Sequence, residues 1–324
     1  MARVGEVSST FEVIVNPGRD RAALDVDRAR VDRALDAIRA AGVRKPGFLE
    51  IGSSTLVFES MQITGSFKVR GAVAAISARI DEARAKGVVA ASAGNHGAGV
   101  AWASRALGVR ATVVVPETSP EVKRARIAEH AELVVRGDGY DAAERAAIDL
   151  AKERDAIFLS PYDDPDVAAG NGGTLARDID EHTERVFRAR RVIAPLGGGG
   201  LVSGLAAGFE LPREVWGVQS AACPAVARSL QRGEAIESMH ARERTVAEGL
   251  EGGVSRSGFD RVRHALSGVV VVDEASIVRA MQWARRDLGL IVEGSSAVAL
   301  VPLLAGHELA SAAVIVLTGR NVDE

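Results

Sequence analysis

Short apolar runs rich in β-branched residues alternate with longer segments rich in alanine, arginine and glutamate. In the first half of the chain, four apolar runs predict strands, namely Val88–Ser92, Ala111–Pro116, Glu132–Arg136 and Ala156–Leu159. The intervening segments predict helices near Asn95–Leu107, Pro120–His130 and Asp141–Arg154. Parallel strands need crossover segments of this kind, so the pattern predicts an α/β fold.

The second half of the chain repeats the alternation. It predicts strands at Val192–Leu196, Val215–Gln219, Val269–Val272 and Ala313–Leu317. It predicts helices near Asp166–Glu181, Leu201–Phe209, Ala275–Leu288 and Ser295–Leu304. An amphipathic pattern within Asp20–Ala41 predicts one more helix, which packs through Val26, Val31, Leu35 and Ile38. Because no repeat or obvious linker interrupts the pattern, we expect two α/β lobes joined by short crossings.

The composition is that of an ordinary globular protein, with 324 residues of which 47% are apolar and 26% charged. The net charge is −3, and the 40 basic and 43 acidic residues are mixed along the chain, so we expect neither a nucleic-acid nor a membrane partner. Met1–Asp20 lacks the apolar segment of a signal peptide, which makes a cytoplasmic location our expectation. The single cysteine, Cys223, excludes an intrachain disulfide, and we expect it to be buried.

Lys68 lies between Phe67 and Val69 in a chain that uses arginine at most cationic positions. A desolvated lysine can lose its proton and then attack a carbonyl, whereas arginine cannot. The alternative is a surface lysine at a helix start, whose apolar stem lies along the protein.

Four consecutive glycines, Gly197–Gly200, follow a predicted strand and precede a predicted helix that begins at Leu201. Without side chains, their N–H groups and the helix N-terminus can approach a phosphate closely. A dinucleotide-binding loop is disfavoured because Val202 or Ser203 occupies the position of the third glycine, and no Gly-Lys dipeptide exists for a P-loop. The alternative is a flexible turn.

The Lys68 run, Ser92–Gly97, Gly197–Leu201 and Leu317–Asn321 follow one another in this order. Together they resemble the fold-type II pyridoxal-phosphate enzymes, and within that group the serine/threonine dehydratases (threonine ammonia-lyases). The likeness runs from about Lys45 to the C-terminus. It includes Ser160–Asp166, Ala169–Thr174 and Glu293–Ala297.

The resemblance implies a two-domain α/β fold similar to the tryptophan synthase β subunit, with an open, mostly parallel sheet flanked by helices in each domain. Residues 1–84 and 161–324 would form the large cofactor-binding domain, and residues 85–160 the small domain. It also implies pyridoxal 5'-phosphate as cofactor, a small amino-acid substrate and a homodimer. The short tail beyond Asn321 leads us to expect no regulatory domain.

The resemblance assigns Lys68 as the catalytic amine. Asn95 would donate to the cofactor phenolic oxygen, Thr318 would bond the pyridine nitrogen, and Phe67 would pack near the ring. The full set of implied cofactor-binding residues is Phe67, Asn95, Gly197, Gly198, Gly199, Gly200, Leu201, Gly249, Glu293 and Thr318. The implied substrate-binding residues are Ser66, Ser92, Ala93, Gly94 and His96.

Several of these residues also have plain structural interpretations. Ser66 and Asn95 are suitable helix N-caps, and Thr318 could close a turn after a strand. Glu293 could equally be a surface residue. For His96, we expect the imidazole to face solvent in the first turn of a helix.

The resemblance implies α,β-elimination of a β-hydroxy-L-amino acid, such as threonine or serine, to a 2-oxo acid and ammonia. Similar racemases place a serine acid/base where this chain has Ala93, which cannot move a proton. The neutral Thr318 hydroxyl also favours elimination over reactions that need a long-lived carbanion. The alternatives are β-replacement, as in cysteine-synthase-like enzymes, and a non-catalytic ligand-binding relative.

The chain departs from the family pattern at several positions. Arg320 replaces a glycine. If its guanidinium closes over the pocket, it favours 3-hydroxyaspartate as the substrate. The alternative is that Arg320 faces solvent. Val57 replaces a lysine, and Gly294 a proline. Gln219 replaces a metal-binding glutamate, so we expect no strong metal site of that type.

Overall fold

Two sheets organise the computed structural model, which describes residues 11–322. The strands of the described residues are β1 (Phe11–Val15), β2 (Gly47–Ile51), β3 (Ser54–Phe58), β4 (Val88–Ala91), β5 (Ala111–Val115), β6 (Glu132–Val135), β7 (Ile157–Phe158), β8 (Arg191–Pro195), β9 (Glu214–Ser220), β10 (Leu266–Val272) and β11 (Ala313–Leu317).

The α-helices connect and cover these strands. They are α1 (Arg28–Ala40), α2 (Lys68–Ala78), α3 (Ile80–Lys86), α4 (Asn95–Leu107), α5 (Glu121–Ala128), α6 (Tyr140–Glu153), α7 (Pro165–Ala168), α8 (Thr174–Asp180), α9 (Glu184–Phe187), α10 (Gly200–Gly208), α11 (Ala225–Arg232), α12 (Arg256–Ala265), α13 (Glu274–Leu288), α14 (Gly294–Ala297) and α15 (Val301–Leu304). Short 3₁₀ turns occur at Arg21–Ala23, Glu248–Leu250, Val298–Leu300 and Glu308–Ala310, and a π-helical turn at Ala169–Gly173.

The larger sheet has the strand order β1-β10-β9-β8-β11-β3-β2. Its five central strands are parallel, and the two edge strands pair antiparallel. Strands such as Leu266–Val272 and Ala313–Leu317 are buried along their whole length. Their nearly continuous apolar sequence follows from burial on both faces.

The smaller sheet has the order β6-β5-β4-β7 and is entirely parallel. Helices α4, α5 and α6 make its crossovers, as the sequence pattern predicts. We call residues 88–158 the four-stranded unit and the larger sheet with its helices the seven-stranded unit. The predicted α/β fold, with a mostly parallel sheet and flanking helices in each lobe, is confirmed.

The predicted helices Asp166–Glu181 and Ser295–Leu304 are helical almost throughout, but each changes its hydrogen-bond pattern within its length. A π turn joins α7 to α8, and a 3₁₀ turn joins α14 to α15. The π turn is closely packed, because a Cβ on Gly172 would lie 2.0 Å from the carbonyl oxygen of Leu201. The predicted N-terminal helix begins only at Arg28, where the Asp27 side chain accepts a hydrogen bond from the Arg30 N–H.

The four-stranded unit lies inside the predicted small domain of residues 85–160, whose bounds stay a prediction. Residues 1–10 and 323–324 of the predicted large domain lie outside the described residues. Cys223 is buried, as expected. Among residues 11–322, no helix is both long and apolar enough to cross a membrane.

Candidate active site

The predicted site residues meet at the carboxyl edge of the larger sheet, where β3, β8 and β11 end side by side. Open parallel sheets bind ligands at this edge. The residues that follow β11 lie against the turn before α2. Ser66 bridges Gly319, and the Phe67 N–H donates to the Thr318 carbonyl at 3.0 Å. This pairing fixes the position of the backbone from which the Lys68 side chain extends.

Lys68 is the first residue of α2 and is half-buried. Its Nζ lies 5.3 Å from the centroid of the Phe67 ring and 5.2 Å from that of Tyr162. Burial lowers the pKa of the amine from 10.5 to about 8, although the negative charge of Glu293 opposes the shift. About a tenth of the amine is therefore neutral, and nucleophilic, at pH 7, far more than for an ordinary lysine.

A fully buried ion-pair network holds α2 in place. The Arg70 guanidinium donates to both Glu59 carboxylate oxygens, at 2.9 and 2.8 Å, and also pairs with Asp178 at 2.8 Å. The next N–H, that of Gly71, donates to the Asn171 side chain at 2.9 Å. Lys68 therefore extends from a helix whose first turn is anchored on two sides.

The predicted phosphate loop follows β8 and leads into α10. Gly199 has a left-handed backbone (φ 95°), and a Cβ there would lie 2.1 Å from the side chain of Val262. A Cβ on Gly198 would lie 2.6 Å from the Tyr162 ring. Gly200 is also buried, yet the nearest atom to a Cβ there would be 3.9 Å away. This room at a helix N-terminus suits a phosphate group.

Asn95 and Glu293 form one hydrogen-bonded pair across the pocket. Asn95 Nδ2 donates to Glu293 Oε1 at 2.8 Å, and the Asn321 N–H donates to the other carboxylate oxygen at 2.9 Å. Glu293 is only 9% exposed, and burial raises its pKa. The surface interpretation of Glu293 is therefore wrong. Asn95 is not the N-cap of α4 either, because Gly94 occupies that position.

The two serines of the predicted substrate site differ in their contacts. Ser66 is fully buried, and its hydroxyl has no hydrogen-bond partner among the described residues. It does not cap α2, whose N-cap is Phe67. The Ser92 hydroxyl accepts a hydrogen bond from the Gly94 N–H at 3.1 Å. Of these two serines, Ser66 is therefore the one whose hydroxyl is available to bind a ligand.

His96 contradicts its expected position, because its imidazole does not face solvent. The residue is 4% exposed, and Nε2 lies 3.1 Å from the Leu159 carbonyl oxygen. Burial lowers its pKa to about 3. The neutral ring therefore donates through Nε2, and it ties α4 to the segment after β7. Helix α4 packs its first turn against the protein rather than against water, which sequence periodicity did not indicate.

The remaining predicted residues surround the same space. Thr318 is 3% exposed, and its N–H donates to the Ser296 hydroxyl at 2.8 Å. Gly249 lies in a 3₁₀ turn facing the glycine loop, with its carbonyl oxygen 3.6 Å from a Cβ built on Gly197. Leu201 is buried in one apolar core, and the half-buried Ala93 packs against another.

Two residues of the site, Tyr162 and Lys123, were not predicted from the sequence. The Tyr162 ring lies beside both the Lys68 amine and the glycine loop, and Lys123 of α5 lies near enough to Glu293 for its charge to lower the pKa of that carboxyl. A usable signal existed for Tyr162, since it is one of only two tyrosines and lies in the Ser160–Asp166 motif. Nothing local marked Lys123, whose role depends on how α5 docks.

Arg320 is exposed, but its Cγ and Nε lie 3.5 and 3.7 Å from a Cβ built on Gly65, in the turn that leads to Lys68. Gln219 is buried, and its side-chain oxygen accepts from the Ala227 N–H at 2.9 Å. Across residues 11–322, no three His, Cys, Asp or Glu side chains form a group that could hold a metal ion.

Residues 49–319 match the protein family described as pyridoxal-phosphate dependent enzyme. The chain belongs to this family. The glycine loop, the half-buried low-pKa amine and the buried Thr318 all suit that cofactor, so the predicted pyridoxal-phosphate dependence and fold type are confirmed.

Curated relatives extend the likeness. The chain is 37% identical to the L-threonine ammonia-lyase of Geobacter sulfurreducens over 82% of this chain and 66% of that protein. It is 35% identical to the L-threonine dehydratase catabolic TdcB of Escherichia coli K12 over 84% of each. Among solved structures it is similar to the processed form of threonine deaminase isoform 2 from Solanum lycopersicum, with a TM-score of 0.85 and 27% identity over 98% of this chain and 90% of that one.

Proposed function

We propose that this pyridoxal-phosphate enzyme eliminates water from a β-hydroxy-L-amino acid, threonine or serine, to give a 2-oxo acid and ammonia. The relatives named threonine ammonia-lyase and threonine dehydratase support the reaction class. The observation that carries the proposal is the Lys68 amine, whose pKa is lowered to about 8 and whose Nζ lies 5.2 Å from the Tyr162 ring that packs on the glycine loop.

Different residues of this chain would bind the cofactor and transfer the proton. Gly197–Gly200 would hold the phosphate, while Asn95, Phe67 and Thr318 would surround the ring. When bound, pyridoxal phosphate withdraws electrons from the substrate Cα and so acidifies its proton. The neutral Lys68 amine would take that proton, because its lowered pKa makes the free base far more abundant near neutral pH than in an ordinary lysine.

Substrate orientation would come from donors that have no partner within residues 11–322. The buried Ser66 hydroxyl is one. The first N–H groups of α4, which begins at Asn95, are others and favour a carboxylate. Ala93 has no transferable proton, so proton removal occurs from the Lys68 side alone. The released enamine would hydrolyse in water to the 2-oxo acid.

Arg320 supports an acidic substrate as a second candidate. Its guanidinium lies beside the turn before Lys68, where it could meet the distal carboxylate of 3-hydroxyaspartate. Replacing Arg320 with glycine would then remove activity toward that amino acid and leave serine turnover unchanged.

We further propose the assembly and organisation implied by the family likeness. Residues 1–84 and 161–324 would form the cofactor-binding domain, residues 85–160 would form the small domain, and two chains would associate in the cytoplasm. Sedimentation analysis of the purified protein tests the homodimer.

The decisive experiment is a panel of serine, threonine, 3-hydroxyaspartate and 3-phenylserine, scored for 2-oxo acid and ammonia. We expect both products from at least one substrate, and none from Lys68→Ala. Cysteine formation from O-acetylserine and sulfide, without pyruvate, would instead favour β-replacement. No turnover and no covalent cofactor capture would favour a ligand-binding role.

A further inference from the structure

The residues that follow β11, Gly319–Asn321, form one side of the pocket, and we call them the rim segment. A Cβ on Gly319 would lie 2.5 Å from Glu293 Oε1 and 3.2 Å from Asn95 Nδ2, so the backbone of Gly319 packs directly on this pair. The Asn321 N–H donates to the second oxygen of Glu293 at 2.9 Å. Arg320 lies between these two contacts, so its side chain extends from the edge of the pocket.

Helix α5 reaches the rim segment from the four-stranded unit. Arg126 Nη1 donates to the side-chain oxygen of Asn321 at 2.9 Å. One turn earlier on the helix, Lys123 Nζ pairs with Glu248 at 3.8 Å. Residues three apart lie on one helix face, and this face contacts both the rim segment and the 3₁₀ turn beside the glycine loop. The cationic face of α5 therefore spans the mouth of the pocket.

Arg126 and Arg320 have most of their hydrogen-bond donors available. Among residues 11–322, the Arg126 side chain bonds Asn321 alone, and the Arg320 side chain bonds no residue. Both arginines are exposed. The carboxylates beside the mouth, Glu293 and Glu248, have other partners. Two guanidinium groups, one from each unit, are thus left to bind an anion that enters the pocket.

We propose that Arg126 and Arg320 form the subsite for a second carboxylate on the substrate β-carbon, so that 3-hydroxyaspartate is favoured over serine and threonine. The inference rests on the proposed elimination and names the substrate class of the same site. A planar guanidinium binds a carboxylate through two parallel N–H bonds, which give both strength and orientation. Serine and threonine carry only hydrogen or a methyl group at that position. Loss of the α-hydrogen and the β-hydroxyl as water, followed by hydrolysis of the enamine, converts 3-hydroxyaspartate to oxaloacetate and ammonia.

Kinetics of matched variants with two substrates test the subsite. We expect the wild-type kcat/KM to be higher for 3-hydroxyaspartate than for serine. Arg126→Met and Arg320→Gly should each lower kcat/KM for 3-hydroxyaspartate at least about 10-fold more than that for serine, the scale of one charge-assisted hydrogen bond. Arg126→Lys keeps the charge without the two-pronged geometry, and its loss should be smaller. The control is Arg110→Met, which changes an exposed arginine at the opposite end of β5 and should leave both values unchanged.

Binding of unreactive amino acids gives a second readout. L-aspartate and L-alanine both lack the β-hydroxyl, and they differ from each other only by the second carboxylate. Calorimetric titration of the cofactor-loaded enzyme should show that aspartate binds at least about 10-fold more tightly than alanine. This difference should largely disappear in Arg126→Met and persist in Arg110→Met.

The outcomes separate this inference from the proposed function. If the wild-type enzyme converts serine or threonine but converts 3-hydroxyaspartate no better, the elimination stands and the carboxylate subsite is overturned. If Arg126→Met lowers kcat/KM for both substrates equally, Arg126 only holds α5 in place and its role as a substrate ligand is overturned. If no amino acid is converted, the elimination is wrong, and the titrations alone decide the subsite. Equal affinity for aspartate and alanine would then overturn it.

Discussion

Asn95 Nδ2 donates a 2.8 Å hydrogen bond to Glu293 Oε1, and this bond joins the start of α4 to the loop before α14. It links the four-stranded unit to the seven-stranded unit at the pocket. The amide is well suited to the position, because it neither adds charge nor competes for a proton. A carboxylate in its place would face Glu293 directly.

Asn95→Asp should therefore disrupt the site. Two buried carboxylates in contact cannot both ionise, so we expect weaker cofactor binding at neutral pH and a partial recovery in acid. Equilibrium binding of pyridoxal phosphate across pH measures this. The double variant Asn95→Asp with Glu293→Gln restores one amide and one carboxylate, and it should recover most of the affinity. Failure of the swap to rescue would show that the pair does not act through charge.

Lys68 should capture its cofactor with an unusual pH dependence. Only the neutral amine attacks the aldehyde, and its pKa is lowered to about 8 by burial. The capture rate should rise about tenfold per pH unit below pH 8 and level off above it. Rapid-mixing absorbance on cofactor-free protein follows the reaction. A rate that continues to climb toward pH 10.5 would contradict the lowered pKa.

Glu293 provides the matched control for that profile. Its negative charge raises the pKa of Lys68, so Glu293→Gln should move the midpoint of the capture rate to lower pH. The direction of this change is opposite to that expected if the variant simply opened the pocket to water. An upward movement of the midpoint would point to lost burial instead.

Lys68→Met should stabilise the cofactor-free protein. A folded pKa of about 8 against an ordinary value of 10.5 corresponds to at most about 3 kcal/mol of destabilisation by the charged amine, less because the residue is only half-buried. The unfolded chain binds the extra proton between these two values. The penalty is therefore complete below pH 8, and it disappears as pH rises to 10.5.

Denaturant unfolding at pH 7 and pH 10.5 tests this. The gain from Lys68→Met should be present at the lower pH and largely lost at the higher one. A gain that is equal at both pH values would reflect improved packing rather than removal of a buried charge.

Substitutions at two glycines of the loop distinguish an effect on folding from an effect on phosphate binding. Gly200→Ala meets no atom of the protein closer than 3.9 Å, so the chain should fold normally but bind pyridoxal phosphate at least about tenfold more weakly. Gly199→Ala combines a φ of 95° with a 2.1 Å approach to Val262, and it should lose about 1–3 kcal/mol of stability. Thermal unfolding without cofactor and titration with it measure the two effects. Equal loss of stability in both variants would rule out the assignment of the open space at Gly200 to phosphate.

Local sequence predicted the elements more reliably than the contacts between them. Asn95–Leu107 and Ala313–Leu317 match the structure at both ends, since Gly94 and Gly108 flank the helix and an unbroken apolar run defines the strand. The burial of His96 and the ring of Tyr162 beside Lys68 depend on docking between distant segments. No signal at a single residue encodes such contacts. For this reason the position of the His96 ring was predicted wrongly, and the position of the Tyr162 ring was not predicted.

The burial of Arg70 was equally unpredictable from local sequence. Two residues after Lys68, its position is that of an ordinary arginine in a helix. Its guanidinium is fully buried between Glu59 and Asp178. Arg70→Ala would leave both carboxylates buried without a cation, so we expect a loss of about 3–5 kcal/mol. Arg79→Ala, at the end of the same helix, removes a partly exposed pair with Asp164 and should cost no more than about 1 kcal/mol. Denaturant unfolding of the two cofactor-free variants compares them directly, and similar losses would show that the buried network does not anchor α2.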